Sequence, residues 1–168
     1  MFIDKNSIML KYVENSADYQ PNPKEMGLYQ LTNNEFVPTT DTTFQSGKSY
    51  YISMGQYLVE AKYGYHKLWG EDTGRNLAGD YTGTLLGIFP KITMQFRKLT
   101  KSEIELLVTT LDNPEQYLTY YDPKKRYRVT LKTYTGDYEI LNKYFVSDKD
   151  GEENEGFSCA FISTKKRT

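Results

Sequence analysis

Apolar and polar residues alternate most regularly at Ile92, Met94 and Phe96, interleaved with Lys91, Thr93, Gln95 and Arg97. A period of two puts the three apolar side chains on one face, so the segment is predicted as an amphipathic strand entered at Pro90. Tyr57, Val59, Ala61 and Tyr63 alternate with Gln56, Glu60 and Lys62 to predict a second strand, with Leu58 out of phase. Tyr127, Val129, Leu131 and Thr133, against Arg126, Arg128, Thr130 and Lys132, predict a third whose Tyr127 points inward. Shorter strands are expected at 27–31, 35–37, 49–52, 117–121, 138–146 and 157–162. Turn pairs at Asn33-Asn34, Asp122-Pro123 and Gly136-Asp137 separate several of them.

One segment changes period. Ile104, Leu107, Val108 and Leu111 recur at helical spacing, Thr100 and Glu103 have capping-box spacing, and Asn113-Pro114 ends the run. A helix over 101–112 is therefore expected. Six to eight short strands with one helix predict a mainly β fold: an antiparallel β-sandwich or barrel in a single domain over 1–168. Residues 22–52 read as a small β module within it. Residues 70–83 carry Gly70, Gly74, Gly79 and Gly83 and read as a long loop, which is usually functional or mobile. Residues 147–156 read as a charged loop, and Lys165-Lys166-Arg167 as a frayed tail.

Composition changes the picture in two ways. The chain has 168 residues, with Lys plus Arg 21 against Asp plus Glu 22, so its net charge of -1 argues against a specific nucleic-acid partner. Sixteen Tyr and eight Phe stand in a chain only 38% apolar, so the core leans on aromatic rings. Tyr gives large contact area at little entropic cost and is enriched at interfaces, which favours a subunit of an assembly. No run is long and apolar enough for a membrane-spanning helix, so no membrane partner is expected. Met1 to Asn6 lack a basic start followed by an apolar run, which reads against a secretory leader.

Patterns that carry chemistry are mostly missing, so no catalytic, cofactor-binding or metal residue is assigned and no enzyme activity is expected. Gly47-Lys48-Ser49 is like the end of a phosphate-binding loop, but Thr42 stands where its first glycine belongs and a strand follows. A turn into a strand accounts for it. The acidic run Asp148 to Glu155, laid on a calcium-loop register, puts Glu153 at the glycine position and Cys159 at the last ligand. It reads as a solvated hairpin loop. His66 and Cys159 are the only residues of their types, so neither has a partner for metal binding or nucleophilic catalysis. His66 is read as structural or surface and Cys159 as a small buried hydrophobe. Glu71, Asp72 and Asp80 in the glycine-rich loop are the remaining carboxylates for a hydrolase reading, while Glu103 and Glu105 lie two apart on the helix and do not face each other. Lys124, Lys125, Arg126, Arg128 and Lys132 read as a charged sheet face that discourages edge-to-edge aggregation, with a charged contact to a protein neighbour as the alternative.

Two stretches resemble phage proteins. Asn22-Pro23, Gly27-Leu28-Tyr29, Thr40-Asp41-Thr42 and Gly47-Lys48-Ser49-Tyr50-Tyr51 resemble a small β module of tail and structural proteins from phages and prophages of Gram-positive bacteria, with Leu28-Tyr29 replacing its usual Trp-Tyr. Arg75-Asn76-Leu77-Ala78-Gly79-Asp80, the strand 91–97, Leu99 to Glu103, Thr119 to Pro123 and Arg126-Tyr127 resemble a family of small siphophage and prophage tail components from Firmicutes. Lys124-Lys125 stand where that family has a glycine after Asp-Pro.

The resemblance implies a β-sandwich related to tail-tube and tail-hub ring proteins. It implies a virion structural protein, made in the host cytoplasm, that forms a homo-oligomeric ring of six copies in a tail or baseplate beside other tail proteins. The expected contact residues are Gly74, Arg75, Asn76, Asp80 and Tyr81 in the loop, Tyr29, Phe36 and Tyr50 in the 22–52 module, and Arg126 and Arg128. The alternative is a baseplate module that binds a glycan or receptor through exposed Tyr rings.

Overall fold

The computed structural model describes residues 7–12, 22–71, 74–141 and 156–167. In chain order the strands are β1 (Met9–Lys11), β2 (Tyr29–Thr32), β3 (Glu35–Pro38), β4 (Tyr51–Ser53), β5 (Leu58–Trp69), β6 (Gly74–Arg75), β7 (Tyr81–Thr82) and β8 (Leu85–Phe96). Helix α1 (Lys101–Leu111) follows, then β9 (Gln116–Tyr121), β10 (Arg128–Thr135) and β11 (Ser158–Ser163). The fold is thus mainly β with one short helix. Nine strands form one antiparallel sheet in the order β3-β2-β4-β1-β9-β10-β11-β8-β5, and β6 and β7 form a second, two-stranded one.

Among the described residues strands β3 and β5 end the large sheet, each paired on one side only, so the described sheet is open. It rolls over on itself. Tyr63 of the end strand β5 stacks on Tyr120 of the mid-sheet strand β9 with ring centroids 5.7 Å apart. The facing layers therefore come from two parts of one sheet, its β5 end and its middle. Between them lies a core of Leu10, Ile52, Met94, Phe96, Leu118 and Phe161, closed by Leu107 and Leu111 of α1.

The clearest alternation holds: Ile92, Met94 and Phe96 are all buried. Their strand starts earlier than expected, at Leu85, and Pro90 lies inside it. Pro90 is tolerated there because pairing with β11 ends at Lys91, where no ladder partner needs the missing N–H. In β5 the register shifts between Leu58 and Glu60, so Val59 is the extra residue of a bulge and is exposed rather than inward. The out-of-phase Leu58 is the trace of that bulge in the sequence. Asn33 and Asn34, at φ 52° and 64°, make the two-residue turn of the β2–β3 hairpin, a left-handed pair that Asn tolerates well.

Helix α1 starts as its sequence predicts. The Thr100 hydroxyl accepts the Glu103 N–H at 3.3 Å, and the Glu103 carboxylate accepts the Thr100 N–H at 3.0 Å. Arg97 adds an ion pair to Glu103 at 2.7 Å. The buried stripe includes Leu106 and Thr110 beside Leu107 and Leu111, while Ile104 and Val108 are half-buried. Strand β1 was not expected. Its Met9 and Leu10 are both buried, one on each face, so it shows no alternation. Residues 138–141 carry no strand, and the rest of the strand expected at 138–146 lies outside the described residues. The charged loop also lies outside them, apart from Gly156.

Candidate functional site

Two surfaces stand out, and both are built on β8 and its neighbours. The first is an arm. Strands β5 and β8 are twelve residues each, but β11 covers β8 only from Lys91 to Gln95. The half made by Tyr65–Trp69 and Leu85–Pro90 is therefore, among the described residues, a two-stranded hairpin without a third strand on β8. At its end the predicted 70–83 loop is a ribbon, with Gly74 opposite Thr82 and Arg75 opposite Tyr81.

Asn76 closes the ribbon's turn. Its N–H donates to the Asp80 carbonyl at 2.8 Å, and its Oδ1 accepts the N–H groups of Ala78 and Asp80, both at 3.0 Å. Arg75 donates to the Gly79 carbonyl at 2.9 Å, and Gly79 supplies the positive φ of 86°. Trp69 and Tyr81 meet edge to face with centroids 5.4 Å apart. Leu68, Trp69, Leu77, Tyr81, Leu85 and Leu86 are exposed on this one arm, Leu77 completely.

The second surface is a cleft of about 630 Å³ between β10 and the C-terminal segment. Its lining holds the cations Lys125, Arg128, Lys132, Lys165, Lys166 and Arg167, and one carboxylate, Asp122. The tail that was expected to fray is docked. The Arg167 N–H donates to the Ile88 carbonyl at 2.6 Å, and its guanidinium lies 4.9 Å from the Tyr65 ring centre. Lys132 pairs with Glu115 at 2.8 Å, and that hydrogen bond holds its ammonium above the ordinary lysine range. Burial, then the Asp122 charge, pushes the Tyr65 and Tyr120 hydroxyls up, and Tyr120 lines the cleft.

Asp122 shapes the turn at the cleft's end. It is buried, and its Oδ1 accepts the N–H groups of Lys124 at 2.8 Å and Lys125 at 3.2 Å. Arg126 follows at φ 59°, and Tyr127, just before the first residue of β10, is exposed rather than inward. The positive φ of this turn falls on Arg126, not on Lys124 or Lys125.

The sequence-predicted contact residues divide. Gly74, Arg75, Asn76, Asp80 and Tyr81 come together at the exposed tip of the arm. Arg126 and Arg128 are exposed; Arg128 donates to the Asn34 carbonyl at 3.0 Å and lies 5.0 Å from the Phe36 ring centre. Tyr29, Phe36 and Tyr50 are a correction, since all three are buried within the chain. Tyr29 and Phe36 form a small cluster with Met9 on the sheet's outer face, and Tyr50 joins the main core. Their ring surface is already consumed by folding.

The hydrolase candidates Glu71 and Asp80 are exposed, and Asp72 lies outside the described residues. Among the described residues no three His, Cys, Asp or Glu side chains gather as metal ligands do. His66 is exposed on β5 and Cys159 is buried. Gly47 turns the chain at φ 80° toward β4, as the bland reading of Gly47-Lys48-Ser49 required. The apolar arm was legible only as a glycine-rich loop. The cleft was missed, because its walls come from segments far apart in sequence. Known proteins add no constraint: no protein-family model and no curated protein matches the chain.

Proposed function

We propose that the chain is a structural subunit that acts by assembling with copies of itself, as a ring in a phage tail or baseplate. The arm carries this reading. Six large apolar side chains are exposed on one hairpin, on both of its faces, and so much exposed apolar surface in one place marks an interaction site. A hairpin that projects from one copy meets a different surface on the next, and such head-to-tail contacts close into rings. The open, rolled antiparallel sheet with one helix supports the comparison with tail-tube and tail-hub sandwiches, and that resemblance supplies the expected number of six copies.

The test is light scattering after gel filtration, with negative-stain images of each peak. The wild-type chain is expected to give rings with a central hole. A Leu77→Ser, Leu86→Ser variant is expected to run as a monomer that still unfolds cooperatively, with a midpoint that no longer depends on protein concentration, since neither side chain packs in the core. A wild-type chain that stays monomeric at every concentration, and is absent from purified virions, overturns the reading.

A further inference from the structure

The cleft beside β10 has the construction of a strand-binding slot. The Asp122 N–H donates to the Tyr127 carbonyl at 3.0 Å, and the Thr164 N–H donates to the Lys132 carbonyl at 3.0 Å. Together these bonds fix the alternation along β10. Tyr127, Val129, Leu131 and Thr133 turn their backbone toward β9, while Arg128, Thr130, Lys132 and Tyr134 turn theirs the other way. Thr130 and Thr119 fit this, since their hydroxyls meet at 2.9 Å as side chains of a non-hydrogen-bonded pair do.

On that other side β11 pairs only from Thr133 to Thr135. Beyond it the Ser163 hydroxyl bonds the Lys165 backbone at 2.8 Å, and the tail leaves β10 for Ile88. The backbone N–H and C=O of Thr130 and Arg128 are thereby aimed into the gap, where no strand among the described residues pairs with them. An open strand edge inside a cleft is the arrangement that adds an extended peptide to a sheet. The volume falls within the roughly 300–1,000 Å³ of ligand sites.

We propose that this slot takes an extended acidic strand from a second copy of the chain, the stretch 148–155. That stretch carries Asp148, Asp150, Glu152, Glu153 and Glu155 against the single Lys149. The charges complement the cleft, where six cations, of which Lys132 is already paired with Glu115, meet one carboxylate. The placement favours a neighbour as the donor. The acidic stretch rejoins the described chain at Gly156, just before the first residue of β11, whereas the slot opens after Ser163, its last. Six residues of strand separate the two ends by about 20 Å. Opposite charges at opposite ends of one strand give a head-to-tail contact, the kind that closes a ring. The inference rests on the assembly reading for the identity of the partner and on the cleft for its chemistry.

The experiment titrates a fluorescein-labelled peptide of residues 146–156 with the full-length Leu77→Ser, Leu86→Ser variant and follows anisotropy. Saturable binding is expected, weakened about tenfold or more by Lys165→Glu with Lys166→Glu, and weakened by salt. A peptide of the same charge with alternate backbone nitrogens methylated is expected not to bind. Equal binding of that methylated peptide overturns strand addition. Binding of inorganic polyphosphate with the same lysine dependence, without binding of the peptide, makes the cleft a phosphate-polymer site and also overturns it. Rings without peptide binding sink the slot and keep the assembly; peptide binding by a chain that never assembles sinks the assembly and keeps the slot.

Discussion

Tyr50 donates its hydroxyl to Oδ2 of Asp41 at 2.8 Å, and the same hydroxyl accepts the Gln45 N–H at 3.0 Å. Asp41 also receives Gln30 at 3.1 Å and Lys48 at 3.3 Å. The irregular stretch between β3 and β4 is thus held by one buried phenol and one carboxylate, while Phe44 packs edge to face on the Tyr50 ring. Tyr50→Phe keeps the ring contact and removes the hydroxyl, leaving a backbone donor without its acceptor. The expected loss is about 1–2 kcal/mol in urea unfolding. A variant as stable as wild type would show that the network is solvated rather than structural.

The same carboxylate sets part of the acid limit. The Tyr50 hydrogen bond, outweighing burial and joined by Lys48 and Gln30, holds Asp41 below its ordinary 3.8. At Glu103 burial acts upward, but the hydrogen bonds from Arg97 and Thr100 outweigh it and hold the group below 4.5. Both folded values are lowered, so the stability they contribute is complete above the ordinary values and is lost as pH falls through the folded ones. The unfolding midpoint is expected to be flat from neutrality to about pH 5 and to fall below it. Glu103→Gln should start lower and fall less steeply; an equally steep fall would remove Glu103 from the account.

How much of this was legible follows from what each segment buries. Ile92, Met94, Phe96 and the Phe157–Phe161 segment face a core on one side only, so their period of two survives in the sequence. Met9 and Leu10 are buried on both faces and leave no period to read. Alternation places Val59 and Tyr127 inward; Val59 is turned out by a bulge, a backbone event that a polarity pattern does not encode, and Tyr127 lies just before the first residue of β10, where it is exposed. Tyr29, Phe36 and Tyr50 show the same limit at the candidate site. Their aromatic content was visible, but whether a ring fills the chain's own core or a neighbour's surface depends on tertiary packing. The cationic slot needed β10 and the tail to be side by side, which only the fold reveals.

The bulge gives a sharp contrast within one pair of strands. Val59 is exposed beside β8, whereas Met94 on β8 is wholly buried. Val59→Ala is expected to change stability by less than about 0.5 kcal/mol. Met94→Ala opens a cavity in the roll and is expected to cost about 2–5 kcal/mol. Denaturant titration of the two single variants checks both values. A large loss at Val59 would mean that an assembly contact covers it, and it would then depend on protein concentration.

Cys159 lies in the roll between Phe157 and Phe161, and burial pushes its thiol up to about 12. At neutral pH the folded chain presents almost no thiolate, and the nucleophile of any thiol reaction is the thiolate. Ellman's reagent is expected to react with the native protein only at the rate of unfolding, and at once in denaturant. The sign of the linkage adds a second observable. A folded value above the ordinary 9.0 means that the thiol's contribution is complete below that pH and is lost as pH rises toward about 12. Tyr57, raised by burial to about 12 from 10.0, acts in the same direction. The unfolding midpoint should therefore decline above about pH 9, and Cys159→Ala should begin that decline later at the cost of a lower plateau. Rapid labelling of the native chain would place the thiol at the surface and with it the whole inward face of β11.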